Sequence, residues 1–288
     1  MRRAILVFIL ALFTKGVFSQ ELPSWFAQSL LDLREDIAEA AREGKRVMLY
    51  FEQTGCPYCK RLVEVNFKQP AIAAKMQRHF VSLAINIWGA RELTSPEGRT
   101  MSEKQFAAAL KIQYTPTLVF FDEKGRVALR INGYYPPERF MAALDQAVAG
   151  KPAAPPPVAS PVKTKSTGKP LALIIDAPDC AACDELREVT LKHDAVRTQL
   201  AKFDIERLPL SGDRARALKV GYVPALVLFD AGGREVLRME AYFRPFHVAG
   251  SLEYVSSGAY RSEPSLQRFL QARAERLRRE GAAVDLWN

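Results

Sequence analysis

The sequence predicts an α/β fold present in two tandem copies. Three observations carry this. Twice an apolar run of strand character, Val47–Gln53 and Leu171–Asp176, leads through a short turn into Cys-x-x-Cys with helical spacing behind it, at Cys56/Cys59 and at Cys180/Cys183. Between the copies, Gly150–Lys169 is rich in Pro, Ala, Lys, Ser and Thr and has no hydrophobic period, the composition of a linker. From Gly221-Tyr222-Val223-Pro224 onward the second copy follows the first residue by residue at a constant offset of 108, pairing Phe121 with Phe229, Asp122 with Asp230, Gly125 with Gly233, Arg130 with Arg238, Tyr134 with Tyr242 and Pro137 with Pro245.

The elements follow in order. Trp25–Glu43 has helical spacing, with Trp25/Phe26, Leu30/Leu31, Leu33 and Ile37 on one side and Gly44 to end it. Strand Val47–Gln53 precedes the first dithiol and a helix to about Asn66. Pro70 opens a further helix to about His79, and Val81–Ile87 alternates as a strand. After the polar, Gly/Pro-punctuated stretch Trp88–Thr100 come a helix over Ser102–Leu110, strand Leu118–Phe121, a hairpin turn at Asp122–Gly125, strand Val127–Asn132 and a helix over Pro137–Val148. That order, α-β-α-β-α-β-β-α, is the order of a thioredoxin fold. From first cysteine to proline is 60 residues in the first copy (Cys56 to Pro116) and 44 in the second (Cys180 to Pro224); the extra 16 fall around Trp88–Glu103. The second copy ends in a helix carrying Leu266, Phe269, Leu270 and Leu277 amid many Arg, then Val284-Asp285-Leu286-Trp287.

Composition bounds the function. At 288 residues, 48% hydrophobic and 25% charged, the chain is an ordinary globular protein with room for two domains. The formal charge of +9 includes Arg2, Arg3 and Lys15 and comes without a dense Lys/Arg block, so nucleic-acid binding is not expected. Arg2-Arg3 precede the apolar run Ala4–Phe13, whose ten residues are too few to span a bilayer. Val17-Phe18-Ser19 then supplies small residues for a cleavage site. The expected organisation is a signal peptide over 1–19, cut after Ser19, a first domain over 20–149, a linker over 150–169 and a second domain over 170–288. Export would place the chain in an oxidising compartment, the periplasm.

All four cysteines fall in the two Cys-x-x-Cys pairs, so none is left over as a structural staple. A cysteine at a helix start sees free N–H groups and the positive end of the helix dipole, which favour thiolate over thiol. Pro57 suits a first helical position. A zinc knuckle would need a second pair roughly 15–20 residues on, whereas Cys180 lies 121 residues beyond Cys59. Covalent haem attachment needs His at position 60, which is Lys. A redox dithiol without metal or cofactor is the reading that remains, with a pair of inert buried cysteines as the bland alternative.

Thr115-Pro116 and Val223-Pro224 stand at strand entrances, where proline is unwelcome unless the peptide bond is cis and the loop lies beside the dithiol. Such a loop can pair with an extended substrate strand. Tyr58 would then wall the groove. Glu52 and Asp176 each sit four residues before the first cysteine of their pair and are candidate proton acceptors for the deeper thiol through water, or else solvated acids at strand ends.

With these residues placed, the chain resembles two tandem thioredoxin-fold domains joined by a Pro/Ala/Lys-rich linker. The first resembles the periplasmic SoxW-type thioredoxins of bacterial sulfur oxidation in the stretch Phe51–Lys60, in Glu64-Val65-Asn66-Phe67, in Asn86-Ile87-Trp88-Gly89 and in Thr115-Pro116-Thr117. The resemblance implies a thiol–disulfide oxidoreductase in which Cys56 attacks, Cys59 resolves and Pro116 is the cis-proline of the groove. It also implies a disulfide-bearing protein substrate and a membrane electron-transfer protein as reductant. Two departures stand out: the dipeptide between the cysteines is Pro-Tyr, and Tyr50 stands where thioredoxins bury an Asp.

Overall fold

The computed structural model of the protein describes residues 21–149, 167–240 and 243–284. The proposed signal peptide, most of the linker, Tyr242 and Asp285–Trp287 lie outside the described residues.

β1 (Arg46–Glu52) is buried from Val47 to Phe51, which demands cover on both faces. It pairs in parallel with β2 (Phe80–Asn86) and antiparallel with β5 (Thr117–Phe121), which pairs antiparallel with β6 (Val127–Asn132), giving the order β2-β1-β5-β6. The period of two then sorts the side chains. Met48, Tyr50, Leu118 and Phe120 pack with Phe67 and Phe140 on one face, and Val47, Leu49, Phe51 and Val119 with Leu33, Ile37 and Phe106 on the other. The helices are α1 (Leu33–Arg42), α2 (Pro57–Arg61), α3 (Pro70–His79), α4 (Glu103–Ala109) and α5 (Pro137–Val148). The second sheet repeats the plan. β7 (Leu171–Asp176) pairs in parallel with β8 (Asp204–Pro209) and antiparallel with β9 (Ala225–Phe229), and β10 (Glu235–Glu240) closes the order β10-β9-β7-β8. Its helices are α6 (Ala181–Glu185), α7 (Asp194–Leu200), α8 (Asp213–Ala217), α9 (Pro245–Ser256) and α10 (Leu266–Arg279).

The repeat extends to fine detail. Asp122 accepts from the backbone N–H of Lys124 and Arg126, and Asp230 from those of Gly232 and Arg234, so each closes its hairpin turn in the same way. Both Cys-x-x-Cys helices pass into a π-helical stretch, Leu62–Phe67 in the first domain and Leu186–Thr190 in the second.

Two expectations need correction. The helix expected from Trp25 begins only at Leu33. Phe26 forms a parallel bridge with Ser82 at the edge of β2, and Asp32 caps the helix by accepting from the N–H groups of Arg34 and Glu35. Edge pairing and the cap together override the helical spacing upstream. The loop expected over Trp88–Thr100 instead carries a small hairpin, β3 (Glu92–Thr94) against β4 (Thr100–Ser102), within the segment that the second domain lacks. Among the described residues no helix is long and apolar enough to cross a membrane.

The domains pack against each other. Tyr114 leaves its own sheet and is buried in the core of the second domain, its ring centroid 5.2 Å from that of Phe243. Tyr222 of the second domain stacks on Tyr135 of the first at 5.9 Å, with the Arg139 guanidinium carbon 3.4 Å and 3.5 Å from the two ring centroids. Gln113 caps α10 from across the interface: its Oε1 accepts from the Leu266 N–H at 2.8 Å, and its carbonyl accepts from Gln267 Nε2 at 2.7 Å.

Candidate active site

Each Cys-x-x-Cys pair is closed as a disulfide, with Cα atoms 5.2 Å apart in both domains. Cys56 is the N-cap of α2. Its Sγ accepts the Cys59 N–H at 3.2 Å, and Pro57 occupies the first turn, where an N–H would go unused. Cys180 caps α6 in the same way, with its Sγ accepting the Cys183 N–H at 3.2 Å. The second cysteine of each pair is fully buried, as a resolving thiol should be, while Cys180 is half-buried and Cys56 is 4% exposed.

The loop before β5 closes on the first dithiol. Thr115-Pro116 is cis, as is Val223-Pro224. Cys56 Sγ lies 3.4 Å from the Thr115 carbonyl oxygen, and the Thr115 hydroxyl donates to it at 3.4 Å. Gln53, three residues before Cys56, ties this corner together. Its Nε2 donates to Thr115 Oγ1 at 2.8 Å and to Gln267 Oε1 at 3.2 Å, and its Oε1 accepts from Trp88 Nε1 at 2.8 Å. The first dithiol is therefore wired both to its own groove and to the second domain.

A chain that closes Cys-x-x-Cys at the start of a helix, against a cis-proline loop, in each of two sheets of order 2-1-3-4, fits the match with a family model for the thioredoxin-like domain over residues 33–148 and again over 159–256. The chain belongs to the thioredoxin-like family. As a thioredoxin-like protein with two such pairs, it is a thiol–disulfide oxidoreductase. No match was found among the curated proteins. Among solved structures, the chain is similar to a thioredoxin-fold protein from Helicobacter pylori, at 25% identity over 44% of this chain and 78% of that one, TM-score 0.37. A putative disulphide-isomerase from Bacteroides thetaiotaomicron matches at 25% over 44% and 95%, TM-score 0.35. The C-terminal domain of DsbD from Neisseria meningitidis matches at 18% over 40% and 93%, TM-score 0.31.

The acids of the two thioredoxin-like domains differ. Glu52 is half-buried; burial raises its carboxyl above the ordinary value and the nearby Glu103 adds to this, against Arg91. Asp176 instead pairs with Arg187 at 2.7 Å, and the same Arg187 reaches Asp184. Tyr50, in the place of the usual buried Asp, is fully buried against Phe26 and Phe67, and its hydroxyl is pushed far up by burial.

Tyr58 and Thr115 do line a groove, but its far wall is the second domain. A cleft of about 260 Å³ is lined by Tyr58, Arg61, Thr115 and Tyr134 on one side and by Ala181, Ala182, Glu185, Tyr222 and Phe243 on the other. Val223 is buried beneath its own dithiol, in a cluster with Cys183. Sequence reasoning missed Gln53, Gln113, Tyr114 and the Tyr135–Arg139–Tyr222 stack. The one signal for them was the tyrosine standing two residues before the proline in both copies.

Proposed function

We propose that this protein is exported to the periplasm and works there as a reductase of protein or sulfur-carrier disulfides. Cys56 attacks the substrate disulfide, and Cys59 resolves the mixed disulfide that forms. The observation that carries this reading is the setting of Cys56 Sγ, held at a helix start by the Cys59 N–H and placed 3.4 Å from the carbonyl of the cis-proline loop. A thiolate formed there meets N–H donors and a helix N-terminus, and Lys60 and Arg61 follow directly. An open depression lined by Pro23, Gly55, Cys56, Lys60, Val63 and Phe67 offers a protein disulfide a way in from the side away from the second domain.

Export rests on Arg2-Arg3, the short apolar run and Val17-Phe18-Ser19. The sulfur-carrier substrate and a membrane protein as electron donor rest on the SoxW-like stretches around Cys56 and Pro116. The test is turnover of a protein disulfide by the purified chain, lost in Cys56→Ser, together with the potential of the Cys56–Cys59 pair in Cys180→Ser/Cys183→Ser. A potential near the thioredoxin value of about −270 mV supports a reductase; one near the protein disulfide isomerase value of about −180 mV makes it an isomerase, and one near the DsbA value of about −120 mV an oxidase. Absence of turnover leaves a thioredoxin-fold binding module.

A further inference from the structure

The interdomain cleft is built from matched positions of the repeat. Counting from the first cysteine of each motif, Tyr58 corresponds to Ala182 and Arg61 to Glu185, and all four line the same space. The contacts that frame it are reciprocal. Tyr114 meets Phe243 and Tyr222 meets Tyr135, and adding 108 to the first-domain member of each pair gives the second-domain member of the other. The domains thus face each other about an approximate two-fold axis, with Tyr58 of one motif and Ala181 and Ala182 of the other lining one cleft.

Charge is complementary at just these positions. Lys60-Arg61 follow Cys59, and Asp184-Glu185 follow Cys183. Lys60 is paired with Glu64 at 3.9 Å, and Asp184 with Arg187. Arg61 and Glu185 stay unneutralised: among the described residues neither lies within ion-pair distance of an opposite charge, and Arg61 rests over the Tyr134 ring at 4.8 Å. Opposite charges left open on the two walls of one cleft favour its closing.

We propose that the two dithiols are each other's exchange partners, passing reducing equivalents within one chain across this cleft. The proposal rests on the reading that Cys56–Cys59 exchanges disulfides. In the reduced first domain, the Cys56 thiolate attacks Cys180 Sγ; the Cys56–Cys180 bond forms, the Cys180–Cys183 bond breaks, and Cys183 leaves as thiolate. The Cys59 thiolate then attacks Cys56 and expels Cys180. The first pair ends as a disulfide and the second as a dithiol, with two electrons moved and no further reactant. Approach is through Thr115, which both touches Cys56 Sγ and lines the cleft. The Arg61–Glu185 pair is a positioning element that draws the walls together.

The test is the full-length Cys59→Ser/Cys183→Ser variant, activated with one equivalent of dithiodipyridine and mapped by mass without reduction. The expected product is a Cys56–Cys180 cross-link in monomeric protein, formed at a rate independent of protein concentration. Adding Glu185→Arg slows its formation by roughly three- to five-fold, the scale of an exposed charge pair, and adding Arg61→Glu as well restores it. No cross-link, or one whose rate rises with protein concentration, overturns the relay. Turnover of a protein disulfide by the wild-type chain separates the two ideas: turnover without the cross-link removes only the relay, and no turnover removes the parent reading.

Discussion

Asp179 stands where Gly55 stands, immediately before the first cysteine of its motif, and both hold a left-handed backbone, with φ +52° at Asp179 and +78° at Gly55. The turn that leads each strand into its dithiol needs this conformation. Glycine adopts it without strain, and Asp is among the few other residues that visit it. The second domain therefore keeps the turn while placing an exposed negative charge beside Cys180. In Asp179→Gly the relief of the left-handed side chain and the added freedom of the unfolded glycine oppose each other, so stability changes by less than about 1 kcal/mol. Removing the charge favours the Cys180 thiolate, so the reduced Cys180 should alkylate at lower pH than in the wild type. Alkylation of the reduced protein across a pH series, read at each cysteine by mass, checks this. An unmoved Cys180 profile would show that Asp179 does not act on the thiol.

His247 predicts acid sensitivity of the second domain. Burial, assisted by the charge of Arg244, lowers its imidazole from 6.5 to about 4. The folded state holds it neutral while the unfolded chain protonates near pH 6.5, so this contribution to stability is complete above pH 6.5 and is lost as the pH falls toward 4. The loss amounts to ~3 kcal/mol. Urea unfolding at intervals between pH 7 and 4 should show that slope in the wild type and a flatter one in His247→Gln.

Glu52 gives the opposite sign. Its raised carboxyl favours the neutral form in the fold, so the contribution is present below about pH 4.5 and is lost as pH rises through the folded value. Glu52→Gln should match the wild type in acid and become the more stable protein at neutral pH. If Glu52 also accepts the Cys59 proton, the variant loses one ascending limb of the pH–rate profile for disulfide reduction. A stability gain with an unchanged profile would leave Glu52 as a strand-end acid only.

Much of this was legible because the chemistry is local. Strand, turn, Cys-x-x-Cys and helix lie within one short stretch, and the turn residues Asp122 and Asp230 act within their own hairpins. The 16-residue difference between Cys56–Pro116 and Cys180–Pro224 correctly marked where the first domain inserts its own hairpin. What failed was long-range. Phe26 looked helical, but its partner is Ser82 on a strand edge, 56 residues away. Tyr114 stands directly before the groove loop Thr115-Pro116, yet its ring belongs to the other domain's core. Neither periodicity nor motif spacing carries information about which surface a side chain will cross to reach.

Gln113 offers a test of that long-range part. Its side chain accepts from the first backbone N–H of α10 and donates to the Pro264 carbonyl at 3.0 Å, so one domain caps a helix of the other. Gln113→Ala should cost about 1 kcal/mol, the scale of a lost cap. Its mark should be local, with faster hydrogen exchange at 266–270 and unchanged exchange in β7 and β9. Uniformly faster exchange would show that the interface and the second core unfold as one unit.

The reciprocal tyrosine contacts also have the form of a dimer interface. A two-fold homodimer needs only one surface, in which residue i meets j and j meets i. Tyr114 with Phe243 and Tyr222 with Tyr135 keep that form inside a single polypeptide. Each is anchored from behind in the same way: Asn66 Nδ2 donates to the Tyr135 carbonyl at 2.9 Å and the Thr190 hydroxyl to the Phe243 carbonyl at 3.4 Å. The geometry is that of a two-fold pair carried within one polypeptide. Because the halves are not identical, one dithiol has basic neighbours, Lys60 and Arg61, and the other acidic ones, Asp184 and Glu185, an asymmetry that identical subunits cannot have.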